Sequence, residues 1–91
     1  MENKSIEKNL NEIEIYSVIV FENFNIVDNY VTLDRGLAIF KAYDMYYDGK
    51  DVMSHYDVFI DTWKGGVRIR TEYIDSSNDE KLVVGYENYN V

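Results

Sequence analysis

Apolar side chains between residues 13 and 21 fall on both parities of the chain. Ile13, Ile15, Ile19 and Phe21 share one face of an extended segment; Tyr16, Val18 and Val20 share the other. A strand apolar on both sides is expected in a sheet's interior, covered at least in part on each face. Glu22-Asn23-Phe24-Asn25 reads as a turn, because Asn tolerates the backbone angles a turn demands. A second strand from Ile26 to Val31 then hairpins onto the first. Thr32 is the expected N-cap of a helix running from about Leu33 to Tyr47, with Asp34 near its positive end. Leu33, Leu37, Phe40, Tyr43 and Tyr47 recur at helical spacing and form the expected buried stripe, widened by Ala38 and Ile39. Gly36 is expected to permit close approach to the sheet, and Asp48-Gly49 to end the helix.

Residues 51–54 form a connector without a readable period. His55 to Trp63 and Val67 to Ile74 then make the clearest hairpin, around a two-residue Gly65-Gly66 turn of the primed kind. Uninterrupted pairing from that turn sets Trp63 opposite Arg68, Asp61 opposite Arg70 and Phe59 opposite Glu72. On the other face it sets Thr62 opposite Ile69, Ile60 opposite Thr71 and Val58 opposite Tyr73. Asp75 to Glu80 reads as an acidic loop and Leu82 to Tyr86 as a last strand. Glu87 to Val91 reads as a polar tail, and residues 1–11 as a frayed end or one helical turn. The predicted fold is α+β, in the order ββαβββ: an antiparallel sheet of about five strands with one helix on its Val58/Ile60 face. A chain of 91 residues is expected to form a single domain, residues 1–91.

Composition narrows the chemistry. Hydrophobic residues at 46% supply a modest core. Without cysteine there is no disulfide, thiolate nucleophile or cysteine-bound zinc. Met1-Glu2-Asn3-Lys4 lacks the apolar run of a signal peptide, so a cytoplasmic protein is expected. Seventeen acidic residues against nine basic ones leave a net charge of −8. Direct nucleic-acid binding wants a basic footprint, and anionic membranes want the same, so neither is expected. A protein with a basic surface is the partner this charge suits.

Few residues suggest catalysis. His55 is the only histidine, its neighbour Ser54 points to the opposite strand face, and no nucleophile-elbow pattern is present. Asp44, Asp48 and Gly49 match three positions of a calcium loop, but Tyr46 and His55 stand where oxygen ligands are needed. Asp57 and Asp61 share a face but sit about 13 Å apart at ~3.3 Å per residue, too far to share a proton. Lys64-Gly65-Gly66 is a hairpin turn, not a phosphate loop. No enzyme activity, metal or cofactor is expected.

The candidate binding residues are Phe59, Trp63, Arg68 and Arg70 on one sheet face, with Asp57 and Glu72 alongside. Trp and Arg are the types most enriched in interface hot spots. Tyr46 is the helix tyrosine expected to face outward, and Tyr86 and Tyr89 add contact area near the C-terminus. The acidic part of the surface is expected from Glu12, Glu14, Glu22 and Asp28, with Glu2, Glu7 and Asp34, and from a second group, Asp44, Asp48 and Asp51. Residues 1–34 carry seven acids and two lysines, so they hold −5 of the −8.

This small size, acidity, tyrosine content and mixed α+β make-up resemble the small inhibitors made by bacteriophages, including anti-CRISPR proteins and other nucleic-acid mimics. The resemblance implies carboxylates that imitate phosphates and occupy a basic groove on a nucleic-acid-processing enzyme, in the host cytoplasm. It implies binding that weakens with salt. The locally basic hairpin around residues 64–70 departs from a uniform mimic and suggests a second contact through Trp63. The alternative is a homo-oligomeric structural or regulatory domain, a homodimer paired through the Phe59/Trp63 face or a strand edge. A third class is a small hydrolase using His55 and nearby aspartates.

Overall fold

The computed structural model describes residues 11–88. Five strands and one helix follow in the order β1 (Glu14–Glu22), β2 (Asn25–Thr32), α1 (Arg35–Asp51), β3 (Asp57–Lys64), β4 (Val67–Asp75) and β5 (Lys81–Glu87). The strands form one antiparallel sheet in the order β2-β1-β3-β4-β5. The α+β class, the ββαβββ order and the helix on the Val58/Ile60 face are as the sequence predicts. The expectation for residues 1–11 lies, apart from Asn11, outside the described residues.

Two hairpins close through two-residue turns whose central residues all have positive φ. Glu22 pairs with Asn25 across Asn23 (φ 50°) and Phe24 (φ 70°). Lys64 pairs with Val67 across Gly65 (φ 58°) and Gly66 (φ 79°). This backbone matches the right-handed twist of the strands it joins. The glycines adopt it freely, whereas Phe24 does so against its side chain.

The core lies between α1 and one sheet face. Tyr16, Val18 and Val20 of β1, Val58 and Ile60 of β3, and Ile74 of β4 meet Ala38, Ala42 and Tyr46 of α1. Val18, Val20 and Ile60 are wholly buried, each a contribution of about 1.5–3 kcal/mol. The helix keeps the expected Ala38 inside and packs Ile39 and Tyr43 against the core, but its cap, its end and the rest of its buried stripe differ from expectation. Its N-cap is Asp34, whose carboxylate accepts a hydrogen bond from the Leu37 amide at 3.1 Å. The Thr32 hydroxyl instead accepts from the Asp34 amide. The helix continues through Gly49 to Asp51.

The buried stripe is Ala38, Ala42, Tyr46 and Gly49, while Leu33, Leu37, Phe40 and Tyr47 face outward. Small residues on the inner face let the helix axis approach the sheet, and tyrosines from both layers fill the remaining space. Gly49, not Gly36, marks the closest approach. A methyl group on Gly49 would sit 2.4 Å from the Tyr56 ring, whereas Gly36 is exposed.

The β3–β4 register also departs from the uninterrupted pairing. Trp63 faces Arg68 as expected, but Thr62 then faces Arg70, leaving Ile69 as the extra residue of a β-bulge. Beyond the bulge every β4 side chain changes face. Asp61 lies opposite Thr71, Ile60 opposite Glu72 and Phe59 opposite Tyr73. Glu72 is thereby carried under the helix, where Arg35 binds it through two hydrogen bonds of 2.8 Å.

Candidate binding surface

Pairing assigns the outer sheet face directly, because residues opposite one another on neighbouring strands share a face. Ile15, Ser17, Ile19 and Phe21 of β1 lie beside Trp63, Asp61, Phe59 and Asp57 of β3. Arg68, Thr71 and Tyr73 of β4 continue the face, followed by Tyr86 and Val83 of β5. Val31, Asn29 and Ile26 of β2 extend it on the other side. Among the described residues α1 is the only helix packed on the sheet, and it lies on the opposite face. Ile15 is 41% exposed, Trp63 37%, Val31 60% and Tyr86 43%.

The rings on this face are mutually ordered. Phe21 meets Phe59 edge-on, with centroids 5.6 Å apart, and Phe59 leans on Tyr73 at 6.3 Å. The Arg68 guanidinium sits 5.0 Å above the Tyr86 ring. Asp61 is nearly buried, and its carboxylate accepts a hydrogen bond from the Thr71 hydroxyl at 2.6 Å. Glycine at position 85 makes room for this packing: a methyl there would stand 3.1 Å from the Tyr73 ring.

Of the predicted binding residues, the structure brings Phe59, Trp63 and Arg68 together on the outer face. Arg70 lies on the helix face instead. Its terminal nitrogen donates to the Thr62 hydroxyl at 3.4 Å, and its Nε stands 3.4 Å from a Glu72 carboxylate oxygen. The bulge at Ile69 is the cause, and it moves Glu72 in the same way. The Arg35 guanidinium, more than Arg70, holds the Glu72 carboxyl below the ordinary carboxylate range. Tyr46 is buried in the core rather than displayed. Burial, reinforced by the Glu80 carboxylate, raises its phenol. Tyr89 lies outside the described residues, as do Glu2 and Glu7.

The acids divide by position. Glu14 sits at the start of β1 beside Lys64 and accepts a hydrogen bond from the Tyr16 hydroxyl at 2.7 Å. Burial, then Glu14, raises the Tyr16 phenol. Glu12 precedes the strand and is exposed. Glu22 lies at the far end of β1, roughly 26 Å away at ~3.3 Å per residue. Asp28 and Asp48 line one groove of about 170 Å³ beside Val20, Met45 and Tyr56. Asp51 ends the helix at that same end of the sheet, and Asp44 is exposed one turn before Asp48. Among the described residues no lysine or arginine is ion-paired with Glu22, Asp28, Asp48 or Asp51. No cluster of described side chains has the make-up of a metal site. His55 is exposed and stands 3.2 Å from Asp57.

Several members of the face escape a reading by residue type. Ile15, Ile19 and Tyr73 carry no interface signature, although the double parity of β1 already marks a second apolar side. Phe24 had a clearer signal: a phenylalanine where a primed turn usually has glycine. Such backbone at a bulky residue costs on the order of 1–3 kcal/mol. No described helix is long and apolar enough to cross a membrane. In comparisons with protein-family models, curated proteins and solved structures, the chain matches none.

Proposed function

We propose that this chain is a non-catalytic binding protein that holds a protein partner against the outer face of its sheet. The observation that carries this reading is the sheet face that no described element covers, apolar and aromatic, with Trp63, Arg68 and Tyr86 at one end. Contiguous exposed patches of this kind mark interaction surfaces. The opposite end bears Glu22, Asp28, Asp48 and Asp51, which favours a partner with a basic surface. A nucleic-acid-processing enzyme fits that description, and the chain would then inhibit or regulate it by occupying its basic groove.

A second reading is a homodimer through the same face. It is favoured by the face's low charge: Asp57 and Asp61 are set against Arg68, so two copies meet there with less repulsion than their net charge would otherwise impose.

The experiment is a pull-down from lysate with tagged protein, eluted in salt steps, beside light scattering of the free chain. The expected result is a basic nucleic-acid enzyme released by moderate salt and lost with Trp63→Lys. Capture unaffected by Trp63→Lys would overturn the sheet-face reading. A stable dimer that Trp63→Lys converts to monomer, with no partner captured, would establish the second one.

A further inference from the structure

A groove of about 410 Å³ opens where the outer face meets the acidic end. Phe21 and Phe59 form its floor from the sheet, Asn23 and Phe24 reach it from the β1–β2 turn, and His55 and Asp57 close it from the start of β3. Phe24 is as exposed as in an extended chain, and its φ of 70° belongs to glycine. Glycine would build the same turn without strain, so the fold gains nothing from this ring. A strained backbone that displays an unpacked aromatic is characteristic of functional sites.

The groove's chemistry names the occupant. Phe21, Phe24 and Phe59 line the groove, and the π-face of a phenylalanine ring attracts cations. Asp57 supplies a carboxylate whose side chain is 59% exposed, although His55 shares one of its oxygens at 3.2 Å. Glu22 lies next to the turn, so the local field is also negative. An apolar site lined by rings and one carboxylate suits a flat, weakly hydrated cation better than a compact ammonium.

We propose that this groove receives an arginine side chain, its guanidinium lying against Phe24 and Phe59 and paired with Asp57. The proposal rests on the sheet-face reading for its partner and adds the side chain that partner presents. The arginine site itself can be tested without the partner.

The test is a residue-resolved NMR titration with N-acetylarginine amide at 0.15 M salt, with the neutral isostere N-acetylcitrulline amide as control. Saturable shifts confined to Phe21, Phe24, Asp57 and Phe59 are expected with arginine and absent with citrulline. Phe24→Gly and Asp57→Asn should each weaken binding about fivefold to tenfold, while Phe24→Tyr retains it. Phe24→Gly relieves the turn, so its melting temperature should not fall, and lost binding cannot then be lost folding. Equal shifts with citrulline, shifts scattered over the acidic surface, or undiminished binding by Phe24→Gly would overturn the proposal. If the arginine probe fails while a Trp63-dependent partner is still captured, the groove assignment falls and the sheet-face reading stands.

Discussion

Gly49 and Glu72 show how single positions are governed by what lies across from them. Glycine inside a helix ordinarily costs about 1 kcal/mol relative to alanine, so Gly49→Ala would stabilise an isolated helix. Here the added methyl would overlap the Tyr56 ring at 2.4 Å. We expect Gly49→Ala to destabilise the protein by about 1–3 kcal/mol, seen as a lower midpoint in urea. Glu72 is nearly buried beneath Arg35, and its folded pKa is depressed, first by the Arg35 hydrogen bonds. A depressed carboxyl stabilises the fold above its unfolded value, and that stability disappears as pH falls through the folded value. Arg35→Gln should therefore cost about 1–3 kcal/mol at neutral pH, because it strips a buried carboxylate of its main partner. The gap between variant and parent should narrow as pH falls below the ordinary carboxylate range, which paired urea titrations at pH 7 and pH 3 would reveal.

Among the elements, β4 depends most on context. One extra residue, Ile69, divides it into a stretch that keeps Arg68 on the outer face and a stretch that turns Arg70 and Glu72 inward. Deleting Ile69 would remove the bulge while leaving Thr62 opposite Arg70 and Ile60 opposite Glu72, so Glu72 would stay beneath Arg35. The expected result is a retained, cooperative thermal transition with a loss of no more than about 1–3 kcal/mol. The helix teaches a related lesson. Its large apolar residues Leu37, Phe40 and Tyr47, with Leu33 just before the cap, recur at the spacing of a buried face, yet they are the exposed ones. Spacing identifies two apolar stripes on α1, and only the clearance between helix and sheet chooses the small-residue stripe for the interior.

At the scale of the whole molecule, the described carboxylates without a lysine or arginine partner gather mainly at one end of the sheet, beside Phe21, Phe24 and Phe59, while Glu12 and Glu14 stand at the other end near Lys64. Trp63, Arg68 and Lys64 mark the end with the Gly65-Gly66 turn; the carboxylates of Glu22, Asp28, Asp48 and Asp51 mark the other. The salt sensitivity expected of the partner complex belongs to this scale. It should come from the acidic end, where exposed charges are screened over a Debye length of about 8 Å at physiological ionic strength. Contacts at Trp63 should persist at salt concentrations that weaken the acidic end. An acidic surface spread evenly over the chain would show no such division.

What the sequence determined by itself is what local physics can decide. Apolar runs bounded by turn residues placed the five strands, helical spacing placed α1 to within a few residues, and Asn23 and Gly65-Gly66 marked the two tight turns. The composition also showed a strongly acidic chain with one histidine and no cysteine. Tertiary structure alone decided which apolar stripe of α1 is inside, because two stripes were available and only packing distance separates them. It alone inserted Ile69 as a bulge, because strand parity is preserved locally under either register. The Arg35–Glu72 bond rewards the bulged one from 37 residues away. It also decided that Tyr46 and Arg70 turn inward while Phe24, Ile15 and Trp63 remain at the surface. Exposure depends on what the rest of the chain leaves uncovered, and no window of neighbouring residues contains that information.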